Sequence, residues 1–186
     1  MMNRRSFLPV PLFAPLMAGL APRTFSIPTL PDDRKSMLVR AGQDRTNNGF
    51  RFLDAQFNVV VSGADTEGKC VIFDTVRHEK IGPFLHTHTN CDEWFRVVDG
   101  EFKMQAGEET LRLKAGDSLM VPRGMKHAFV KTSEGPARLI VMHMPAVTME
   151  EYFRAALKQA DHSPEGLRAL AEQHGMTVVG PRLLPD

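Results

Sequence analysis

The chain has 186 residues, 42% of them hydrophobic, enough for one domain with a substantial core. A formal net charge of +1 offers no basic field for nucleic acid, and the two cysteines, Cys70 and Cys91, suffice for one bridge but not for a disulfide framework. No phosphate loop, nucleotide fingerprint or Ser-His-Asp grouping occurs, which leaves kinase and hydrolase readings without support.

Residues 1–31 stand apart from the rest. Arg4 and Arg5 precede Phe7 and Leu8, and an apolar run follows from Leu8 to Ala21. The run is shorter than the ~20 residues a membrane helix needs, so no stable membrane span is expected, and it suits the apolar region of an export signal. The pattern resembles a bacterial twin-arginine signal with Asn3 in place of Ser or Thr, which implies a periplasmic protein that folds before export. Pro9, Pro11 and Pro15 interrupt the run, and Pro22 follows the best small-residue cleavage site, Gly19–Ala21. The alternative is a disordered tail on a cytoplasmic protein.

Residues 32–49 read as a polar connecting arm, with Met37, Leu38 and Val39 as an edge strand and Asn47-Asn48-Gly49 as a turn. From Phe50 strands dominate: 50–53, 56–62 and 69–76, the last two joined by the loop GADTEG. The polar loop RHEKIG at 77–82 places His78 in solvent. Asp99-Gly100 is a strong hairpin signal, Gly116 marks another turn, and Pro122 and Gly124 break the chain before His127. A strand over 138–144 follows. About eight or nine strands from Gln56 onward suffice to close a small antiparallel barrel or jelly roll over residues 50–145.

Residues 146–186 read as a helical extension. Thr148-Met149-Glu150-Glu151 predicts a capping box, and Met149, Tyr152, Phe153, Ala156, Leu157 and Ala160 fall on one helical stripe. Ser163 and Pro164 open a second helix with Leu167, Leu170 and Ala171 on its apolar face, ended by Gly175. Both helices are expected outside the barrel, with His162 and His174 as plain helix-end residues.

The chemistry concentrates between Gly82 and His127. His86 and His88, two apart on a strand, point to one face. Glu93 opens the next strand, with Phe95 and Val97 on its face, and His127 opens a later one, with Phe129 and Lys131 on its face. Three imidazoles and a carboxylate form a sufficient shell for one divalent transition ion, Fe, Mn, Ni, Co, Cu or Zn, and disfavour Ca and Mg. Four protein ligands leave one or two positions open for a substrate. Inward candidates for an apolar pocket are Phe73, Phe95, Met104, Met120, Phe129, Met142 and Met144, residues that equally suit a plain barrel filling. His143, between two of these methionines, is expected to face away from the metal. Lys131 reads either as a cation at the barrel mouth, attracting an anionic substrate or donating a proton, or as a strand-end lysine reaching into water. Cys91 offers an alternate soft ligand, or a loop thiol turned elsewhere.

His86, His88, Glu93 and Gly100, then Gly116, Pro122, Gly124 and His127, resemble the two motifs of the cupin superfamily. The first motif's leading glycine would fall at Lys80, and Lys131 stands where the second motif ends in Asn. The resemblance implies an all-β cupin barrel, with His86, His88, Glu93 and His127 as the metal ligands. Arms such as 32–49 often pair with a second subunit, so a homodimer is expected. The tail resembles that of single-domain cupins similar to quercetin dioxygenase, which implies a metal-dependent dioxygenase acting on a small enol or phenol. Two other classes stay open: a metal-dependent isomerase or decarboxylase, and a non-catalytic metal- or ligand-binding cupin.

Overall fold

A computed structural model describes residues 35–159 and 163–186; the expectations placed on 1–31, Ala160 and His162 fall outside them. All that follows concerns the unit Met37–Asp186. Its strands are β1 (Phe50–Phe52), β2 (Ala55–Val61), β3 (Val71–Arg77), β4 (Phe84–His88), β5 (Asp92–Asp99), β6 (Glu101–Ala106), β7 (Glu109–Lys114), β8 (Ser118–Val121), β9 (His127–Lys131) and β10 (Ala137–Met144). Helices α1 (Met149–Lys158) and α2 (Pro164–Gln173) follow, then a last strand, β11 (Met176–Arg182).

The strands form two antiparallel sheets, one ordered β1-β2-β3-β10-β5-β8 and the other β11-β4-β9-β6-β7. This is the jelly-roll barrel expected of a cupin. Alternation explains it: along β10, Ala137, Leu139, Val141 and His143 are buried while the residues between them are partly exposed. The turn between β5 and β6 needs Gly100, whose φ is +79° and whose Cβ position is blocked by Ala137 and Ser133.

The buried side chains divide into two clusters. Phe95, Val97, Phe102, Met104 and Leu139 fill one end of the barrel. Phe57, Val71, Phe73, Met149, Tyr152 and Met176 fill the other, so both helices and β11 belong to the core. Each such side chain contributes roughly 1.5–3 kcal/mol when fully buried. Between the clusters Arg77, 4% exposed, donates to Asp54 at 3.0 Å, with its guanidinium carbon 5.4 and 4.9 Å from the Phe57 and Phe129 ring centroids. This pair fastens the β1–β2 turn to β3.

Four local expectations are corrected. Met37–Val39 forms no strand, and Met37 and Leu38 are exposed: a three-residue apolar run with no partner edge has nothing to pair with. Thr148 is the N-cap of α1 but makes no side-chain cap bond: its φ −110°, ψ 27° lie outside the extended region from which a capping oxygen reaches the first-turn amides. The segment after Gly175 is a strand pairing with β4 rather than a plain tail. The C-terminal helices also do more than pack on the outside, as the site shows. Ser163 caps α2 as expected, accepting from the Gly166 amide at 3.1 Å.

Candidate metal centre

The two sheets supply the candidate ligands from opposite sides. β4 presents His86 and His88 on one face, and β9 pairs with β4 through the single register His86–His127, which brings the third imidazole alongside. Ring centroids are 4.3 Å apart for His86–His127, 5.0 Å for His86–His88 and 5.3 Å for His88–His127. Glu93 reaches across from β5. One ligand atom from each of His86, His88, Glu93 and His127 lies within 4.8 Å of all the others. Local bonds hold the two motif segments together. The Gly124 amide donates to the His88 carbonyl at 2.7 Å, and Arg123 grips Asp92 through its backbone and both guanidinium edges at 2.9–3.0 Å.

The backbone also sets the tautomers. His86 Nδ1–H donates to the Phe84 carbonyl at 2.7 Å, and His127 Nδ1–H donates to the Met125 carbonyl at 3.0 Å. A carbonyl only accepts, so Nδ1 carries the proton and Nε2 is the nitrogen presented inward, as metal-binding histidines require. Glu93 Oε2 receives His127 Nε2 at 2.7 Å and His88 Nε2 at 3.0 Å. Burial opposes the Glu93 charge, but His143 and His127 outweigh it and hold the carboxyl well below its usual range. Burial, with His127 and His88 adding to it, pushes His86 down to about 3. Burial lowers His88 too, whereas at His127 the bond to Glu93 overcomes burial and raises it.

This donor set fits a divalent cation. His127 both donates through Nδ1 and meets a carboxylate through Nε2, so in the metal-free chain a proton bridges it to Glu93; a cation at the centre takes that proton's place. His88 Nδ1 and His143 Nδ1 are buried with no hydrogen-bond partner. The nitrogen-rich shell suits first-row transition ions and does not select among them.

His143 corrects an expectation. It does point away from Met142 and Met144, but the register puts it directly opposite Glu93, which makes the His143 face the inner one. It is 1% exposed, with Nε2 3.3 Å from Glu93 Oε1. Met142 and Met144 therefore lie on the outer face of the sheet, and Met120 beside them is 45% exposed. The pairing register of β10 against β5 was the missing information, since a one-residue slip exchanges faces.

Beside the ligands lies a cavity of about 100 Å³. Of the inward candidates only Phe129 lines it; Phe73, Phe95 and Met104 are buried core. Its walls come instead from Phe52, Phe57, Phe84, Tyr152 and Phe153, together with Arg182 of β11. Helices α1 and α2 thus close the barrel mouth. Lys131 sits at the far end of β9, about 13 Å along the strand from His127. It is 2% exposed, its ammonium donates to the Gly135 carbonyl, and it does not line the cavity. Cys70 and Cys91 are free thiols. Burial, with Glu93 and Asp92 nearby, pushes the Cys91 thiol up to about 12, and Cys91 is not part of the converging cluster.

The fold is a cupin-type jelly-roll barrel. The family model described as Cupin domain matches residues 70–143, the stretch that holds all four candidate ligand residues. The chain is 38% identical over 68 residues to the uncharacterized protein YdbB of Bacillus subtilis (strain 168), a match covering 34% of this chain and 57% of that protein. It thus spans little more than half the length of that relative. Among solved structures it is similar to a predicted oxalate decarboxylase of Thermotoga maritima, with TM-score 0.54 and 16% identity over 59% of this chain and 99% of the other. It is also similar to an RmlC-like cupin of Shewanella frigidimarina NCIMB 400, with TM-score 0.52 and 18% identity over 63% of this chain and 96% of the other. At these identities the likeness concerns the fold.

Proposed function

We propose that the protein is a mononuclear metal-dependent enzyme of dioxygenase type acting on a small enol or phenol. The observation that carries this reading is the convergence of four candidate ligand atoms within 4.8 Å, with three of their residues, His86, His88 and Glu93, in the wall of an aromatic cavity. When bound, a redox-active ion there would hold a chelating oxygen of the substrate and supply electron transfer to O2. The protein's own part is definable. His86, His88, Glu93 and His127 would hold the ion, the Phe84 and Met125 carbonyls orient two of the imidazoles, and Phe129 and Phe153 exclude water from the substrate.

The test is elemental analysis of purified protein beside its His86→Ala variant, followed by oxygen uptake with enols and phenols. A redox-active ion near one per chain, lost in the variant, with substrate-dependent O2 consumption supports the reading. Turnover without O2 consumption would move it to a metal-dependent isomerase or decarboxylase. Metal retained without turnover would leave a binding protein.

We further propose export to the periplasm, on the Arg4–Arg5 pair ahead of the apolar run. Cell fractionation of an Arg4→Lys, Arg5→Lys variant tests it, with retention inside the cytoplasm expected. A homodimer is proposed on the outward row Ile72, Met142, Trp94 and Met120, which runs across four adjacent strands and ends in an exposed methionine. Sedimentation of a Met120→Glu variant reads this directly.

A further inference from the structure

The cavity wall carries one feature the metal reading does not use. Arg182, on β11, is half-buried with its guanidinium carbon 4.2 Å from the Phe84 ring centroid, and it donates to the Gly82 carbonyl. Other arginines set into the fold have carboxylate partners: Arg77 with Asp54, Arg138 with Asp74, Arg154 with Glu150. Arg182 forms no ion pair among the described residues, since Asp54, which acts on it from a distance, is bound to Arg77, although Arg182 lines the cavity. A half-buried guanidinium has lost part of its hydration, and a single carbonyl satisfies one of its five N–H groups.

The electrostatics of the cavity point the same way. Glu93 is the only carboxylate among the lining residues and is already engaged by three imidazoles. Arg168 stands exposed at the rim. Tyr152, its phenol pushed up to about 12 by burial, remains a neutral hydrogen-bond donor in the same wall. A ligand that completes this set has to bring negative charge.

Size and register fix where that charge sits. A cavity near 100 Å³, below the roughly 150 Å³ that accepts benzene, does not enclose a whole substituted ring, so a single-ring ligand leaves its charged end in the opening and anything longer is excluded. Arg182 pairs with Phe84, and Val178 pairs with His86. The Arg182 row is therefore two residues along β4 from the His86 row, about 7 Å. A para-substituted single ring spans such a distance.

We propose that Arg182 is the anion-binding residue of this cavity and that the substrate class is a small carboxylic acid, at most one ring long. Its carboxylate meets the Arg182 fork while its opposite end faces the His86–His127 cluster. This rests on the metal reading for the opposite end and adds to it the charge and polarity of the ligand. Arg182 acts here as a specificity residue, through a bidentate pair that a lysine does not reproduce.

Calorimetric titration of metal-loaded protein with two probes tests it: 3,4-dihydroxybenzoate, and 4-methylcatechol, which keeps the chelating diol and lacks the carboxylate. The wild type is expected to bind the acid at least about tenfold more tightly, the range of one charge-assisted bond. Arg182→Gln should erase that preference and leave 4-methylcatechol binding unchanged. Arg182→Lys, which keeps the charge and the packing on Phe84, should retain part of it; a folded Lys variant with intermediate preference supports the assignment even if the Gln variant unfolds. Equal binding of the two probes by the wild type overturns the proposal while leaving the metal centre standing, as does full preference retained in either folded variant. Binding of neither probe to metal-loaded protein overturns this inference together with the reading of the substrate as a chelating enol or phenol.

Discussion

His143 Nε2 stands 3.3 Å from Glu93 Oε1, while Oε2 of the same carboxylate faces His88 and His127. The two oxygens are thus divided. One is held from the β10 side, and one is left to serve as a single ligand atom. His143→Gln should weaken metal affinity by about 10–100-fold, the usual cost of losing a group that orients a ligand. A competition titration against a chelator of known affinity measures it, and unchanged affinity would show that Glu93 needs no such restraint.

The ligand assignment separates two histidines cleanly. His88 is buried against Glu93, whereas His174 is the C-cap of α2, with its ring 5.7 Å from Tyr152. His88→Ala should lose most of the bound metal and His174→Ala none. Elemental analysis reads both; equal occupancy would dismiss the site.

Acid should destabilise the metal-free protein within a definable window. His86 titrates near 3 when folded and near 6.5 when unfolded. Below about pH 6.5 the unfolded chain binds a proton that the folded chain refuses, so stability falls towards pH 3. His88, also lowered, acts in the same sense. Glu93, held low, contributes stability above its unfolded value that is lost as pH drops through its folded value. His127, raised, contributes below about pH 6.5 and loses its contribution as pH rises through its folded value. The melting temperature should therefore peak near pH 6.5, and His86→Gln should flatten the acid limb. A wild-type melting temperature constant from pH 6.5 to 4 contradicts this.

Gly82 faces the backbone of β9 so closely that a Cβ there would lie 1.6 Å from the Phe129 carbonyl oxygen. No rotamer relieves a clash with backbone. Gly82→Ala should destabilise by roughly 2–4 kcal/mol, a value in the upper tail for single substitutions. It should also displace the carbonyl that holds Arg182. Denaturant unfolding measures the first effect.

The sequence revealed most where spacing alone determines geometry. His86 and His88 share a face because strand period is two, and Glu93 with Phe95 and Val97 followed the same rule. It revealed least where partners decide. Which face of β10 is inward depends on its alignment with β5, so His143 was placed outside and Met142 inside. β11 was overlooked because MTVV is too short to signal a strand without the β4 edge it completes, although its β-branched residues were the available cue. The cavity walls from α1 and α2 were hidden for a related reason: an apolar helical stripe announces burial and says nothing of what it covers.

The division of labour along the chain has a practical consequence. All four candidate ligand residues fall within 70–143, whereas Tyr152, Phe153, Leu167, Arg168 and Arg182, which shape the far side of the cavity, come after it. On the proposed function, the ion-holding residues and much of the selecting wall are therefore written in consecutive passages, joined by the pairing of β11 with β4. Exchanging only the cavity-facing side chains of the later stretch between relatives, with the β11–β4 pairing kept, would be a route to redirect what enters the barrel.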